Sequence, residues 1–549
     1  MAPTEPPYPV SPLTDLGHPD NSFELDKTFK VSMDAETSGS WRDEAPLLTP
    51  RMSSASGPRL PPAPSRSVLS HENDKLFDPD ACRHELAKMT ELAWPIVCSG
   101  FLSYGLSVIS IAFVGRLGKL ELSITLLATS FFNVTGMAIV LGFAGVLETV
   151  CGQAYGAAHY RAVGLALQRA VLMALVLCSA ITAGWFHAAP LMTMLGQEPA
   201  IAAGAARFLW LSSPALFAGA LYGVLTRYLL AQGQSRLPTW SAAIAVLLAP
   251  VYNYLLVLRA GWGLDGAALA LDLTEATLLV SLAWLTWRFN RGLEGTPKQT
   301  WHGWSSAALR GWGSYVRIGL PSVAMVLVEW SAFEVCVLEA GWLPDPEVTL
   351  AVMGVCLNIS TLLYMLPAGL SAACSTRVGN ALGAGLGRAA ARAACTGVLL
   401  TSLLQLFLIA VLVFGRFGIV QILTNVPEVI SLAADTLLIV ACAILGDGIN
   451  CTLNGMLRGC GRQTLGAVLN VASFWGVALP LGWALGFRLN WGVRGLWWGL
   501  VTGNYLLTAS LLVVLATTDW GHQVRRASTL TEGLEAGPPA EDERNVLVL

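Results

Sequence analysis

The apolar positions of this chain come in long unbroken blocks, unlike the two-residue alternation of a strand or the one-sided stripe of a soluble helix. A helix crosses a bilayer with about 20 predominantly apolar residues. On that measure the sequence predicts spans near residues 87–114, 122–150, 163–189, 203–231, 237–258 and 264–288. A second set follows near 313–341, 349–376, 390–414, 431–457, 464–486 and 494–517. No segment requires a strand. The expected fold class is all-α integral membrane, with twelve transmembrane helices in two pseudo-symmetric six-helix lobes. The expected organisation is a disordered arm over 1–83, a first lobe over 84–288, a polar linker over 289–312, a second lobe over 313–520 and a disordered tail over 521–549.

The two sets of blocks repeat each other. Pro95 matches Pro321 at a spacing of 226, and Gln153-Ala-Tyr-Gly156 matches Asn380-Ala-Leu-Gly383 at 227. Leu237 pairs with Leu465 at 228, and Trp262-Gly-Leu-Asp-Gly266 with Trp491-Gly-Val-Arg-Gly495 at 229. Four matches in one order, drifting by single residues, point to an internal duplication. Duplicated bundles are a common plan for carriers that hold one solute site between two halves.

Composition narrows the class. Charged residues are 13% and hydrophobic residues 54% of the chain, and mean hydropathy is +0.58, far from a soluble domain. A net charge of −3 gives no general basic surface for nucleic acid. The 11 Cys are an odd number without a pairing pattern, and no Cys/His spacing suits zinc, so neither a metal nor a cofactor is expected. The arm and the tail carry too few large apolar groups to offset the entropy of ordering. Within the arm, Asp43-Glu-Ala-Pro-Leu47-Leu48 resembles an acidic dileucine sorting signal, and no early apolar core suggests a secretory signal. Lys and Arg in the short loops divide 14 against 6 between alternating sides. The richer set includes Arg161, Arg236, Arg291, Lys298, Arg388 and Arg462, and the positive-inside bias makes it cytoplasmic, with both termini. Pro95, Pro250, Pro321, Pro367 and Pro480 are expected to kink their helices.

A carboxylate near the bilayer midplane is costly, so it protonates, pairs or works. Glu329, near the middle of the seventh span, and Asp447, in the tenth, are the leading candidates. The repeat sets them against Ser103 and Gly219, so the first lobe lacks both acids. Burial and a second acid both favour the proton-bound form of a carboxyl group. Such a pair is a device for proton coupling, unless each acid only bonds a neighbour to lock the bundle. Asp447, Asn450, Cys451 and Asn454 recur at helical spacing on the tenth span, as do Asn358, Thr361 and Met365 on the eighth, with Tyr364 beside them. Trp330 and Phe333 flank Glu329. These residues suit a large, partly apolar solute with an ionisable or hydrogen-bonding group, or else they bond helix to helix. Glu334 and Glu339 point elsewhere around the helix. Glu148 lies near the cytoplasmic end of its span, where it packs, gates or meets solute. Asp272 and Glu275 of the sixth span are expected to face the bundle or each other. No phosphate loop marks an ATPase, and the aspartates lack an intramembrane-protease context, so no enzyme is expected.

Several segments together carry a family resemblance. They are Glu121-Leu-Ser-Ile-Thr-Leu-Leu-Ala-Thr-Ser-Phe-Phe-Asn-Val-Thr-Gly136, Leu147-Glu148-Thr-Val-Cys-Gly-Gln153-Ala-Tyr-Gly-Ala157, Val328-Glu329-Trp330-Ser-Ala-Phe-Glu334, Ser375-Thr-Arg377-Val-Gly-Asn380-Ala-Leu-Gly-Ala384, Asn454-Gly-Met-Leu-Arg458-Gly-Cys-Gly-Arg462-Gln and Thr518-Asp519-Trp520. Over residues 84 to 520 the chain resembles plant-type multidrug and toxic compound extrusion (MATE) transporters. The resemblance implies alternating access and proton-driven export of organic solutes such as alkaloids, phenolics, flavonoid conjugates, xenobiotics or organic acids. It also implies that Glu329 and Asp447, which stand in the matching motifs, are the coupling acids. The run Trp94 to Tyr104 lacks the acid that some prokaryotic relatives place in the first lobe, and Asp272 and Glu275 stand where plant relatives usually have uncharged residues. The expected protein is a monomeric proton antiporter of the vacuolar or plasma membrane, with small organic solutes, protons and the bilayer as its partners. The alternative is a sodium-coupled carrier or a lipid-linked flippase of the same superfamily.

Overall fold

A computed structural model describes residues 78–536, which are helical apart from the connections between helices. The dileucine-like motif and residues 1–77 of the expected arm, and residues 537–549 of the expected tail, lie outside the described residues. The spans are α1 Pro79–Val114, α2 Lys119–Gly156, α3 Tyr160–Trp185, α4 in the two pieces Pro199–Leu211 and Ser213–Ala231, α5 Arg236–Arg259 and α6 Gly263–Gly292. After a connection come α7 Trp312–Ala340, α8 Pro346–Gly383, α9 Gly387–Leu423, α10 Pro427–Cys460, α11 Gln463–Arg488 and α12 Val493–Thr517. Eleven of these runs are long and apolar enough to cross a membrane. The remaining one, α7, carries Arg317, Glu329, Glu334 and Glu339 along its 29 residues. Helices suit this environment because lipid offers the backbone no hydrogen-bond partner.

Two expectations are corrected. The first helix begins at Pro79, so residues 79–83, assigned above to the arm, belong to α1; Pro79 occupies the first turn, where no backbone N–H is missed. The tail expected to be disordered from 521 folds over Trp520–Ala536 as α13. Gln523, Ala527 and Thr531 recur every four residues and are buried against the bundle. Asp519 starts this helix by accepting the His522 N–H at 3.1 Å, and that bond holds its carboxyl below the usual carboxylate range.

The repeat extends to details of packing. α2 and α8 cross so closely that a Cβ on Gly156 would meet the Asn380 carbonyl, and one on Gly383 would meet the Gln153 carbonyl. Both pairs are related by the 227-residue spacing, and a Cβ on Gly152 would stand 3.5 Å from the Gly379 Cα. Likewise Gly142 abuts Val323 while Gly369 abuts Val97. An ion pair recurs with its signs exchanged: Arg207–Asp265 at 2.6 Å in the first half, Arg494–Asp435 at 2.9 Å in the second. Of the expected kinks, α1, α7 and α8 run on through Pro95, Pro321 and Pro367 as single helices. Beyond Pro250 and Pro480, wide π-helical turns begin four residues later, at Tyr254–Arg259 and Ala484–Arg488. A proline removes a backbone donor, and the looser ladder is one way for its neighbours to re-satisfy their carbonyls.

The halves are bonded to each other mainly at the end that carries Arg161, Arg236, Arg388 and Arg462. Met89 and Ala93 of α1 sit in the core of the second half. There too, Arg377 of α8 makes a bidentate pair with Glu85 of α1 at 2.7 and 2.5 Å, both side chains buried. Toward the middle of the bundle, the Tyr104 hydroxyl donates to Asn358 Oδ1 at 3.2 Å across the gap between the halves.

Candidate functional site

Glu329 and Asp447 are brought together. Glu329 is the eighteenth residue of α7 and Asp447 the twenty-first of α10. Their carboxylates lie within Coulombic reach of one another. Protein surrounds both, yet each keeps part of its surface accessible, so they line an internal space. Tyr364 of α8 is in hydrogen-bond reach of Glu329 and of Cys451, one turn on from Asp447. Among the described residues no Lys, Arg or His forms a salt bridge with either acid. Two acids, a phenol and a thiol therefore form one unneutralised cluster inside the second half.

The other residues singled out from the sequence divide. Asn358 and Thr361 are exposed on α8 facing open space, and Asn358 Nδ2 also donates to the Gly354 carbonyl at 2.8 Å. Trp330 is half-buried beside Glu329. Phe333 turns to the core of the second half, its ring centroid 6.2 Å from that of Phe474. Asn450, expected along the cavity, is 3% exposed: it donates to the Asn504 carbonyl at 3.0 Å and accepts from Thr508 at 2.8 Å. It bonds α10 to α12, because three residues beyond Asp447 the helix face has turned toward that neighbour. Asn454 is equally buried, with Oδ1 lacking a hydrogen-bond partner.

Sequence reasoning missed an ionic junction below this cluster. Arg458 of α10 donates to Glu148 of α2 at 2.8 Å and to Ser371 of α8 at 2.9 Å. Arg227 of α4 approaches the other Glu148 oxygen at 3.4 Å. The Thr149 hydroxyl donates to the Arg458 carbonyl and accepts from Gln463 at 2.7 Å, and Gln153 donates to the Gly459 carbonyl at 2.9 Å. These bonds tie α2 of the first half to α10 and α11 of the second. Arg458 is eleven residues from Asp447, about three turns or roughly 16 Å along the same helix face. Glu148 was expected to pack, gate or meet solute; the signal for its partners was two arginines near helix ends that the repeat brings to the same side.

In the first half, Asp272 accepts the Ala215 N–H at 2.8 Å, satisfying a donor at the break between the two pieces of α4. Glu275 points at Gly219, with a carboxylate oxygen 3.1 Å from where a Cβ would stand. Gly219 is the repeat counterpart of Asp447, so each lobe has an acid at this place, supplied in the first by α6. No group of three His, Cys, Asp or Glu side chains that could hold a metal occurs among the described residues.

Known proteins agree with this architecture. The MatE family matches residues 95–255 and 321–484, one block in each repeat. Protein DETOXIFICATION 17 of Arabidopsis thaliana is 35% identical over 446 residues, 81% of this chain and 93% of the relative. Protein DETOXIFICATION 49 of the same plant is 34% identical over 85% of this chain and 94% of its own length. The crystal structure of the eukaryotic MATE transporter AtDTX14 superposes with a TM-score of 0.77 at 31% identity, covering 82% of this chain and all of that one. A Vibrio cholerae MATE transporter, VcmN in its bent form, shares the fold at TM-score 0.70 and 16% identity, over 82% of this chain and 99% of its own. With two matched repeats, twelve helices and relatives aligned over nearly their whole length, this chain belongs to the MatE family of multi-pass membrane transporters of small solutes.

Proposed function

We propose that this protein is a proton antiporter that exports organic solutes from the cytoplasm by alternating access, with Glu329 and Asp447 as the coupling acids. The observation that carries the reading is the unneutralised cluster of those two acids with Tyr364 in a partly accessible interior. Ionised, the pair holds a solute that carries a positive or hydrogen-bonding group. Protons arriving from the acidic side neutralise the pair and weaken that hold, and the proton-bound protein returns for the next solute. One pH unit supplies about 1.4 kcal/mol per proton, and 100 mV of membrane potential about 2.3 kcal/mol per charge. The Lys/Arg bias of the loops supports a cytoplasmic side for the ionic junction, and with it a state closed toward the cytoplasm. A vacuolar or plasma membrane suits such an exporter, and a monomer contains every residue the scheme uses. Trp330, Asn358, Thr361 and Tyr364 are the side chains placed to meet solute.

The test is uptake into sealed vesicles of purified protein under an imposed pH gradient, screened over organic cations, phenolics and citrate. Glu329→Gln is expected to abolish pH-driven uptake while the protein remains folded. Uptake that follows a sodium gradient and ignores pH, or that survives Glu329→Gln, would refute proton coupling through this pair.

A further inference from the structure

A third acid in the same half, Glu339, is buried without a role in the scheme above. Glu339, the penultimate residue of α7, is 7% exposed, and its Oε2 has no hydrogen-bond partner. No salt bridge reaches it among the described residues. A carboxylate withdrawn from water without a partner is destabilising, so its surroundings bear on what it awaits.

Glu339 forms one wall of an open groove of about 560 Å³ between α7 and α11, lined by Trp475, Leu479, Pro480, Trp483 and Arg488. Two indoles are half-exposed there, Trp475 at 46% and Trp483 at 40%. The Trp475 Nε1 donates to the Val328 carbonyl at 3.2 Å, which fixes the ring and satisfies its only donor. Trp483 is stacked on Phe487 with centroids 6.0 Å apart, and the Arg488 guanidinium lies over the Trp483 ring at 5.3 Å. π-helical turns at Val471–Ala478 and Ala484–Arg488 widen α11 on both sides of Pro480 and so present these indoles. Val328 precedes Glu329, and Val328 and Glu339 are eleven residues apart on one face of α7. Trp475 thus links the groove wall to the α7 backbone next to Glu329.

We propose that this groove is a second ligand site, specific for an organic cation with an ammonium or phosphonium centre on an apolar body. Glu339 supplies the counter-charge, while Trp475 and Trp483 supply ring faces that attract a weakly hydrated cation. Arg488 already occupies one such face and is not paired with Glu339, so it acts as an internal occupant that a ligand displaces. A metal ion is a poor fit, because a single carboxylate among indoles and aliphatic groups offers too few hard oxygen ligands. The site stands whether or not Glu329 and Asp447 carry protons, and its test is set apart from theirs.

The experiment measures equilibrium binding of tetraphenylphosphonium to the purified full chain carrying Glu329→Gln and Asp447→Asn, which removes the charge of the central cluster. This protein is expected to bind the probe. Adding Glu339→Gln is expected to weaken binding roughly tenfold and Trp483→Ala several-fold, whereas Arg488→Ala is expected to tighten it. Where Glu339→Gln does not yield monodisperse protein, the opposite effects of Trp483→Ala and Arg488→Ala decide. Repeating the measurement in nanodiscs separates two sources of the ligand. Affinity lower in phosphatidylcholine than in phosphatidylethanolamine, two lipids of zero net charge, assigns the groove to the choline headgroup of a lipid, and equal affinity assigns it to a free solute. No binding to the doubly neutralised protein, or binding indifferent to changes at 339, 483 and 488, would overturn the proposal.

Discussion

The ionic junction at Glu148 can be probed by replacing Arg458 with Gln. The change removes the 2.8 Å bond to Glu148 and the 2.9 Å bond to Ser371. Removing one member of a buried ion pair costs about 3–5 kcal/mol when it strands the other. Here Glu148 keeps Arg227 at 3.4 Å, so the loss is nearer 2–3 kcal/mol. All of it falls on the state in which the halves are tied at this end. A shift of that size changes a two-state ratio by roughly 30- to 150-fold. Fluorophores placed through unnatural amino acids at Leu195 and Val426, exposed residues in loops of the two halves, would follow the separation of the lobes by single-molecule energy transfer. Arg458→Gln is expected to populate a second distance at the expense of the first. Glu148→Gln is expected to do so more strongly, since it leaves Arg227 and Arg458 facing each other without an anion. The double change should fall short of the sum of the two by about 1 kcal/mol or more, as expected of directly bonded partners. Distance distributions unchanged in both single variants, or strictly additive effects, would refute the role given to this junction.

Other outcomes follow from the same geometry. Glu85→Gln leaves the buried Arg377 without its bidentate partner and should cost on the order of 3 kcal/mol, read as a lowered Tm in detergent. Gly383→Ala drives a methyl group into the Gln153 carbonyl; a loss of about 1–3 kcal/mol should appear in the same assay, and Gly385→Ala, where nothing lies within 4 Å but φ is +79°, tests strain without collision. Asp519→Ala should speed hydrogen exchange at the start of α13. Because the folded carboxyl of Asp519 titrates below its ordinary value, the bond it makes is present above the usual carboxylate pKa of about 3.9. Exchange protection there should hold from neutral to mildly acidic pH and fall only as pH drops below that range.

The helices and the duplication were legible because both leave linear marks: blocks of apolar residues, and matched glycines and prolines at nearly constant spacing. Glu329 and Asp447 stood out for a physical reason, since an acid amid apolar residues is conspicuous where few polar groups are tolerated. What the sequence hid depends on azimuth and on pairing. Asn450 shares a helical stripe with Asp447, but α12 lies on its side of α10 and takes up its hydrogen bonds. Glu148, Arg227 and Arg458 come from three separate helices, and only the fold reveals that they converge. Residues 521–536 of the tail were misjudged because charges dominate the tail's composition, while one narrow face, Gln523 to Thr531, suffices to dock this helix.

The close glycine crossing of α2 and α8 has a mechanical corollary. Equivalent residues of the two repeats interlock there backbone to backbone, so sliding of either helix along the other would meet a carbonyl, whereas a pivot would not. Were the lobes to rock about this contact, a fulcrum near one end of the helices would turn a small tilt there into a wide swing at the far end. The glycines thus set the leverage of the molecule, and a gene duplication supplied both jaws with the same hinge pin.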